Sequence, residues 1–303
     1  MSLLVVGSVG LDTVETPHGK VEEVLGGAAT YFSCAAALFG PVRLVGVVGT
    51  DFPSEHRDFL ARRGVDLSGL VVAPGKTFRW SGRYEPDMNE RRTLSIELNV
   101  FGEVEPQIPR EFFSGENASP FLFLANGSPR LHLRVLDRVE RPGFVVADTM
   151  DHWLESDREG VLAVLSRIDG IVLNDAEARV LAGEHNLIRA ARWILRQGPS
   201  VAIVKKGEHG SLLVTEGEIV PMPSYPVENV VDPTGAGDSF AGGLMGYLAA
   251  NGSPGPESLR RALVYGTVIA SFNIEAFSLD RLREIERRDV EERVERFRRL
   301  LSF

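Results

Sequence analysis

A single cysteine, Cys34, stands in a chain of 303 residues. One thiol closes no internal disulfide and builds no thiolate metal site, and its scarcity fits a reducing compartment. The six histidines show no metal-ligand spacing. Basic residues are in deficit: 33 Lys and Arg against 42 Asp and Glu leave a net charge of −9. That balance argues against a broad polyanion-binding surface, and so against a nucleic-acid partner. It does not exclude an anionic ligand, because backbone N–H groups and a divalent cation can hold a phosphate locally. No run approaches the ~18 apolar residues of a membrane span. Residues 1–10 are largely apolar but have neither a basic n-region nor a small-residue cleavage site. A cytoplasmic protein without a membrane partner is expected. Also missing are an internal repeat, a low-complexity tract and a Gly-x4-Gly-Lys-Ser/Thr phosphate loop. Gly7-Ser8-Val9-Gly10 is only a fragment of a dinucleotide fingerprint, and the residues after it do not read as a helix.

What is present is ordinary globular material, 44% apolar and 25% charged. A chain of this length buries about 75% of its unfolded surface, in one large domain or two ordinary ones. Short apolar runs without alternation recur at 3–6, 44–48, 121–124, 144–147, 171–173 and 201–204. Such runs suit strands covered on both faces. Helical patterns lie between them at 28–39, 53–63, 131–138, 158–166, 175–182 and 187–197. The alternation predicts an α/β fold with a mainly parallel sheet and helices on both faces, and ligands at the carboxyl ends of its strands. Residues 12–24 and 71–101 break the pattern, being rich in β-branched, aromatic and turn residues. They read either as a small β-layer over the ligand edge, a lid, or as a surface hairpin and a long loop. Residues 279–301 carry Val290, Val294, Phe297 and Leu301 at spacings of three and four, one apolar stripe of a docking helix.

The most informative stretch is Val230-Val231-Asp232-Pro233-Thr234-Gly235-Ala236-Gly237-Asp238-Ser239, apolar on its left and running into a helical segment at 239–250. Small residues let the backbone approach a ligand, and consecutive N–H groups at a helix start form an anion hole. Asp238 beside that hole would repel a merely bound phosphate. It makes sense as a base taking the proton of an attacking hydroxyl while the hole stabilises a transferring phosphoryl group.

The string 232–238 resembles the C-terminal signature of the ribokinase-like (PfkB) family of carbohydrate and nucleoside kinases, with Pro233 where that signature usually has Thr. Gly26-Gly27 and the small-residue helix after it resemble the N-terminal signature. Asn174-Asp175-Ala176-Glu177 resembles an Asn-x-x-Glu motif, and Lys205-Lys206-Gly207-Glu208-His209-Gly210 the nucleotide-loop segment. The resemblance implies a three-layer α/β/α kinase domain spanning 1–303, interrupted early by the lid, that phosphorylates a small sugar with ATP and Mg²⁺. It implies Asp238 as general base and Gly235, Ala236 and Gly237 as the anion hole. Asn174 and Glu177 would organise Mg²⁺, mostly through water. Lys205, Gly207, Gly210, Thr234 and Gly266 would serve the nucleotide. Asp12, Gly26, Gly27, Thr30, Tyr31 and Asn126 would line the acceptor pocket. The family likeness also admits K⁺ at Asp232 and Thr234, and a homodimer formed through the lid.

Two departures bear on the acceptor. The N-terminal signature carries an Asn five residues after its first Gly, and here that position is Tyr31, so Thr30 or the Tyr31 phenol would substitute. Asp148-Thr149-Met150-Asp151-His152-Trp153 stands where many sugar kinases have Asp-x-Asn-x-Arg, and without that Arg a phosphorylated acceptor loses its bidentate grip. Phe78, Trp80 or Tyr84 stacking on a base would make the chain a nucleoside kinase instead. Two other classes compete: a non-catalytic sugar sensor, and a serine hydrolase built on Gly237-Asp238-Ser239, which lacks a late Asp-x-x-His partner.

Overall fold

The structure, a computed structural model, describes residues 2–114, 119–139, 142–252 and 254–302. Its strands in chain order are β1 (Leu3–Val6), β2 (Gly10–Thr16), β3 (Gly19–Gly26), β4 (Val42–Gly49), β5 (Val65–Ala73), β6 (Phe78–Tyr84), β7 (Arg91–Glu97), β8 (Phe121–Leu124), β9 (Phe144–Asp148), β10 (Gly170–Asn174), β11 (Val201–Lys205), β12 (Ser211–Val214) and β13 (Ile219–Met222). The helices are α1 (Ala28–Ala36), α2 (Ser54–Arg62), α3 (Val100–Glu103), α4 (Pro129–Arg138), α5 (Asp151–Ser156), α6 (Arg158–Leu165), α7 (Asp175–Ala182), α8 (Leu187–Leu195), α9 (Ala236–Asn251), α10 (Pro256–Asn273), α11 (Asp280–Glu284) and α12 (Arg287–Leu300).

Among the described residues, nine strands form one sheet in the order β13-β12-β11-β10-β9-β8-β1-β4-β5. From β11 to β5 every pairing is parallel. Every residue of β1, β8 and β9 is buried, because helices cover both faces. One face packs against α1, α9 and α10, where the Phe32 ring stacks on Phe123 at 4.2 Å between centroids. The other packs against α4, α6, α7 and α8. Among the described residues, no helix is long and apolar enough to cross a membrane.

All six expected strands lie in this sheet, and three more extend it. β12 and β13 close one edge as an antiparallel hairpin. β5 takes residues 71–73, which the sequence pattern assigns to the second layer, by pairing Val71 with Val47. The remainder of the two irregular segments forms a separate sheet, β3-β2-β6-β7. There β2 and β6, far apart in sequence, run parallel with Asp12 opposite Trp80. The expected single helix over 279–301 is two, α11 and α12, with a capping box at Glu286 and Asp289 starting the second. Val290 and Phe297 are buried as the stripe requires.

Candidate active site

The site is made where strands end. β8, β9, β10 and β11 are parallel neighbours, so their carboxyl ends open on the same edge. Register places Asn174 opposite Lys205, Asp148 opposite Val172, and Leu124 opposite Ala147. Asn126, Asp148, Asn174 and Lys205 thereby line one cavity of about 590 Å³. Asn174 ends β10 and caps α7: its Oδ1 accepts the Glu177 N–H at 2.8 Å, and Glu177 Oε2 accepts the Asn174 N–H at 2.7 Å. This reciprocal box satisfies two orphan donors of the helix start. It also fixes both side chains at the cavity wall with oxygen lone pairs to spare.

The wall opposite is the turn into α9. Gly235 has φ +73°, a left-handed conformation, and a Cβ there would meet the Tyr31 ring at 2.3 Å. Only glycine combines that backbone with that approach. The turn is fixed from beneath: Asp232 accepts the Thr234 N–H at 2.8 Å and the Ser278 N–H at 3.0 Å. Asn273 donates its amide N–H to the Thr234 carbonyl at 2.8 Å and accepts the Ser239 hydroxyl at 2.9 Å. Ser239 is wholly buried in that network, so it cannot serve as the exposed nucleophile a serine hydrolase requires. Asp238, in the first turn of α9, opens onto the cavity.

Four titratable groups crowd this end. The Lys205 ammonium lies 3.7 Å from Asp148 Oδ2. Burial, then the Asp148 charge, raises Asp238 to about 7, against Lys205 and Arg91. The same two causes raise Glu177 to about 8. Burial likewise lifts Asp148, with Lys205 opposing. Burial works against the Lys205 ammonium, but Asp148, Glu177 and Asp238 outweigh it and hold the lysine charged. One cation amid three carboxylates leaves excess negative charge, which favours a proton or a metal ion there.

The far end of the cavity differs. Burial pushes Asp12 up to about 7, with the Gly27 N–H opposing and the Asp232 and Asp238 charges adding to the rise. Trp153 Nε1 donates to Asn126 Oδ1 at 3.1 Å. Along β6 and β7, Phe78, Trp80, Tyr84 and Arg91 face inward, joined by Leu98 and Phe101. The Trp80 ring lies over Gly82, where a Cβ would stand 2.1 Å from it.

A sequence model of pfkB family carbohydrate kinases matches residues 2–282. The chain belongs to this family. A cytidine kinase of Thermococcus kodakarensis is 32% identical over 272 residues, covering 87% of this chain and 94% of that protein. A fructokinase of Klebsiella pneumoniae is 26% identical, covering 82% and 85%. Among solved structures, a ribokinase II from E. coli in complex with ATP and Mg²⁺ superposes with a TM-score of 0.80 at 21% identity, covering 97% and 99%. The protein is therefore an ATP-dependent kinase of the ribokinase fold, acting on a sugar or a nucleoside.

In this kinase Asp238, Gly235, Gly237, Thr234, Asn174, Glu177, Lys205, Asp12, Gly27, Tyr31 and Asn126 all reach the cavity. Other expected site residues stand behind it. Gly26 is packing space, since a Cβ would stand 2.0 Å from the Asp12 carboxylate. Thr30 is fully buried and lies outside the wall, which corrects the expectation that it substitutes for the missing Asn. Tyr31 is 1% exposed, and its ring supports Gly235. Gly266 packs on Phe240 between α9 and α10, and Ala236 and Asp232 also lie outside the wall. Gly207 and Gly210 belong to the loop after β11, where Gly210 abuts Met222 and Pro223. Tyr84, a candidate for stacking, is buried, and its hydroxyl accepts from Thr234 Oγ1 at 3.4 Å. It joins the small sheet to the turn into α9. Arg91 carries no motif, and Asp148, Thr149 and Trp153 belong to the segment that departs from Asp-x-Asn-x-Arg; all four line the cavity.

Proposed function

We propose that the kinase transfers the γ-phosphoryl group of ATP to a hydroxyl of a nucleoside. The carrying observation is the cavity's lining, which combines the oxygen donors Asp238, Asn174 and Asp148 with an aromatic wall of Phe78, Trp80 and Phe101. A sugar alone offers little apolar surface to such a wall, whereas a base stacked on an aromatic side chain gains about 1–3 kcal/mol. The cytidine kinase likeness over most of both chains supports the same acceptor. A small sugar is the second reading, favoured by the fructokinase likeness.

In this reading Asp238 takes the proton of the acceptor hydroxyl as its oxygen bonds to the γ-phosphorus, and the bond to the β,γ-bridging oxygen breaks to release ADP. The N–H groups of Gly235 and Gly237 receive the charge that develops on the phosphoryl oxygens, whereas the Ala236 N–H is held by the Pro233 carbonyl at 3.1 Å. An acidic group near 7 is matched to base catalysis at neutral pH. Asp12 and Asn126 read acceptor hydroxyls. Hard oxygen donors at Asn174, Glu177 and Asp148 suit Mg²⁺ held with its water shell, which would neutralise phosphate charge. A K⁺ ion at Asp232 and Thr234 belongs to the same reading: each Asp232 oxygen accepts one backbone N–H and keeps a lone pair. The small sheet β3-β2-β6-β7 acts as the lid, with its edge strand β7, exposed at Leu94 and Ile96, pairing two copies.

The test is an acceptor screen by ATP turnover with cytidine, adenosine, inosine, ribose and fructose. Turnover of a nucleoside with kcat/KM about 5- to 150-fold above any free sugar, the range stacking supplies, is expected. Turnover of sugars alone overturns the nucleoside acceptor. Acceptor binding without phosphoryl transfer would make the protein a sensor.

A further inference from the structure

Gly237 occupies the second position of α9, where the backbone is helical and alanine is the better residue by about 1 kcal/mol. The space it leaves is not filled by backbone. A Cβ at Gly237 would stand 2.7 Å from Lys205 Nζ, 3.5 Å from its Cε and 3.7 Å from its Cδ. The lysine therefore reaches from the end of β11 to the first turn of α9 and sets its ammonium against Gly237. Asp148, 3.7 Å from the ammonium, is too far for a close ion pair and near enough to keep the side chain in place. Lys205 is 19% exposed, and it lines the same cavity as Asp238.

We infer that Lys205 is a further catalytic residue, its ammonium donating to an oxygen of the transferring phosphoryl group, and that Gly237 is glycine to make room for it. A position over the helix start, beside the base and within the anion hole, is where negative charge develops as the bond to ADP lengthens. The lysine keeps its proton throughout. The hydroxyl proton goes to Asp238, the phosphoryl group passes between oxygens, and Lys205 only donates hydrogen bonds, more strongly as the oxygens gain charge. Asp148 is its positioning residue. The inference rests on the phosphoryl-transfer reading of this site and is independent of which acceptor is used.

The experiment is a double-mutant cycle on the full chain, with Mg²⁺, ATP and whichever acceptor the screen identifies. Lys205→Met is expected to lower kcat by ~10²–10³-fold, the cost of one preorganised donor, with the acceptor KM unchanged. Gly237→Ala, which pushes aside only the flexible end of a side chain, is expected to lower kcat by about 10-fold or more without lowering Tm, since an ångström of misplacement is costly. In a Lys205→Ala background the same methyl group should cost less than about 3-fold, because nothing remains to be displaced. Independent, multiplying effects of the two substitutions would overturn the assigned clearance. A kcat unchanged by Lys205→Met, in protein of normal Tm, would overturn the catalytic role. If Lys205→Met fails to fold, Gly237→Ala decides alone: full kcat overturns the role. A chain that phosphorylates only fructose would sink the nucleoside reading and leave this one standing.

Discussion

At the scale of single residues, the site works by placing carboxylates where they are poorly solvated. Asp238 is raised to about 7 by burial and by Asp148, so at pH 6 it holds a proton and cannot accept one. Log kcat/KM for the acceptor should rise with pH toward a plateau above about 7, and a flat profile from pH 5.5 to 8.5 would contradict Asp238 as base. Asp238→Asn should cost ~10²–10⁴-fold in kcat, the span of general base catalysis, with little change in the KM of either substrate. Trp80 depends on Gly82, whose missing side chain is the seat of the indole. Gly82→Val should tip the ring off the sheet and raise the KM for a nucleoside by about 5- to 150-fold while leaving that for ATP alone, as steady-state kinetics will tell. At this scale Asp238, Asn174 and Glu177 are legible in sequence, because residues that act together lie within one turn or one helix start. Arg91 is not, since nothing within a few positions of it reports what the sheet sets beside it, and Asp148 and Trp153 show in sequence only as a departure from a family pattern, without their partners Lys205 and Asn126.

At the scale of elements, helix starts and strand ends carry the chemistry. Asn174 serves both the α7 capping box and the cavity wall, so Asn174→Ala should lower stability by about 0.5–2 kcal/mol in urea unfolding and also raise the KM for Mg-ATP. Loss of stability without a nucleotide effect would reduce the residue to a cap. The turn into α9 tolerates less, because Gly235 pairs φ +73° with close contact to Tyr31. The buried strands β1 and β8 are read from sequence to the residue, since a strand covered on both faces is apolar at every position. β12 and β13 escape that reading. They are four residues each, and β13 includes exposed Ile219 and Pro221, an edge strand's composition. The helical stripe over 279–301 conceals a break at Ile285, because docking keeps the same face buried across it.

At the scale of the whole molecule, stability and function pull on the same charges. Asp12 and Asp238 have ordinary values of 3.8 and are raised to about 7 in the folded chain. Between those values the native state binds more protons than the unfolded one, so stability falls as pH rises. Their contribution is fully present below about pH 4 and is lost as pH climbs through 7. The ligand-free protein should therefore melt at lower temperature at pH 8 than at pH 5.5 in scanning calorimetry, and Asp238→Asn should flatten that difference. A Tm that climbs with pH across this window would show that other groups dominate.

The amino-acid sequence by itself determined the α/β class, the six inner strands with the helices between them, and the glycine-rich turn with its carboxylate. These depend on periodicity and on neighbours in the chain, which any reader of the chain can see. Only the tertiary structure decided that β2 pairs with β6, that the Trp80 ring covers Gly82, and that Lys205 reaches Gly237 from the end of β11. Those are contacts between residues from two to about seventy positions apart along the chain, and their energies depend on distances that the fold alone sets.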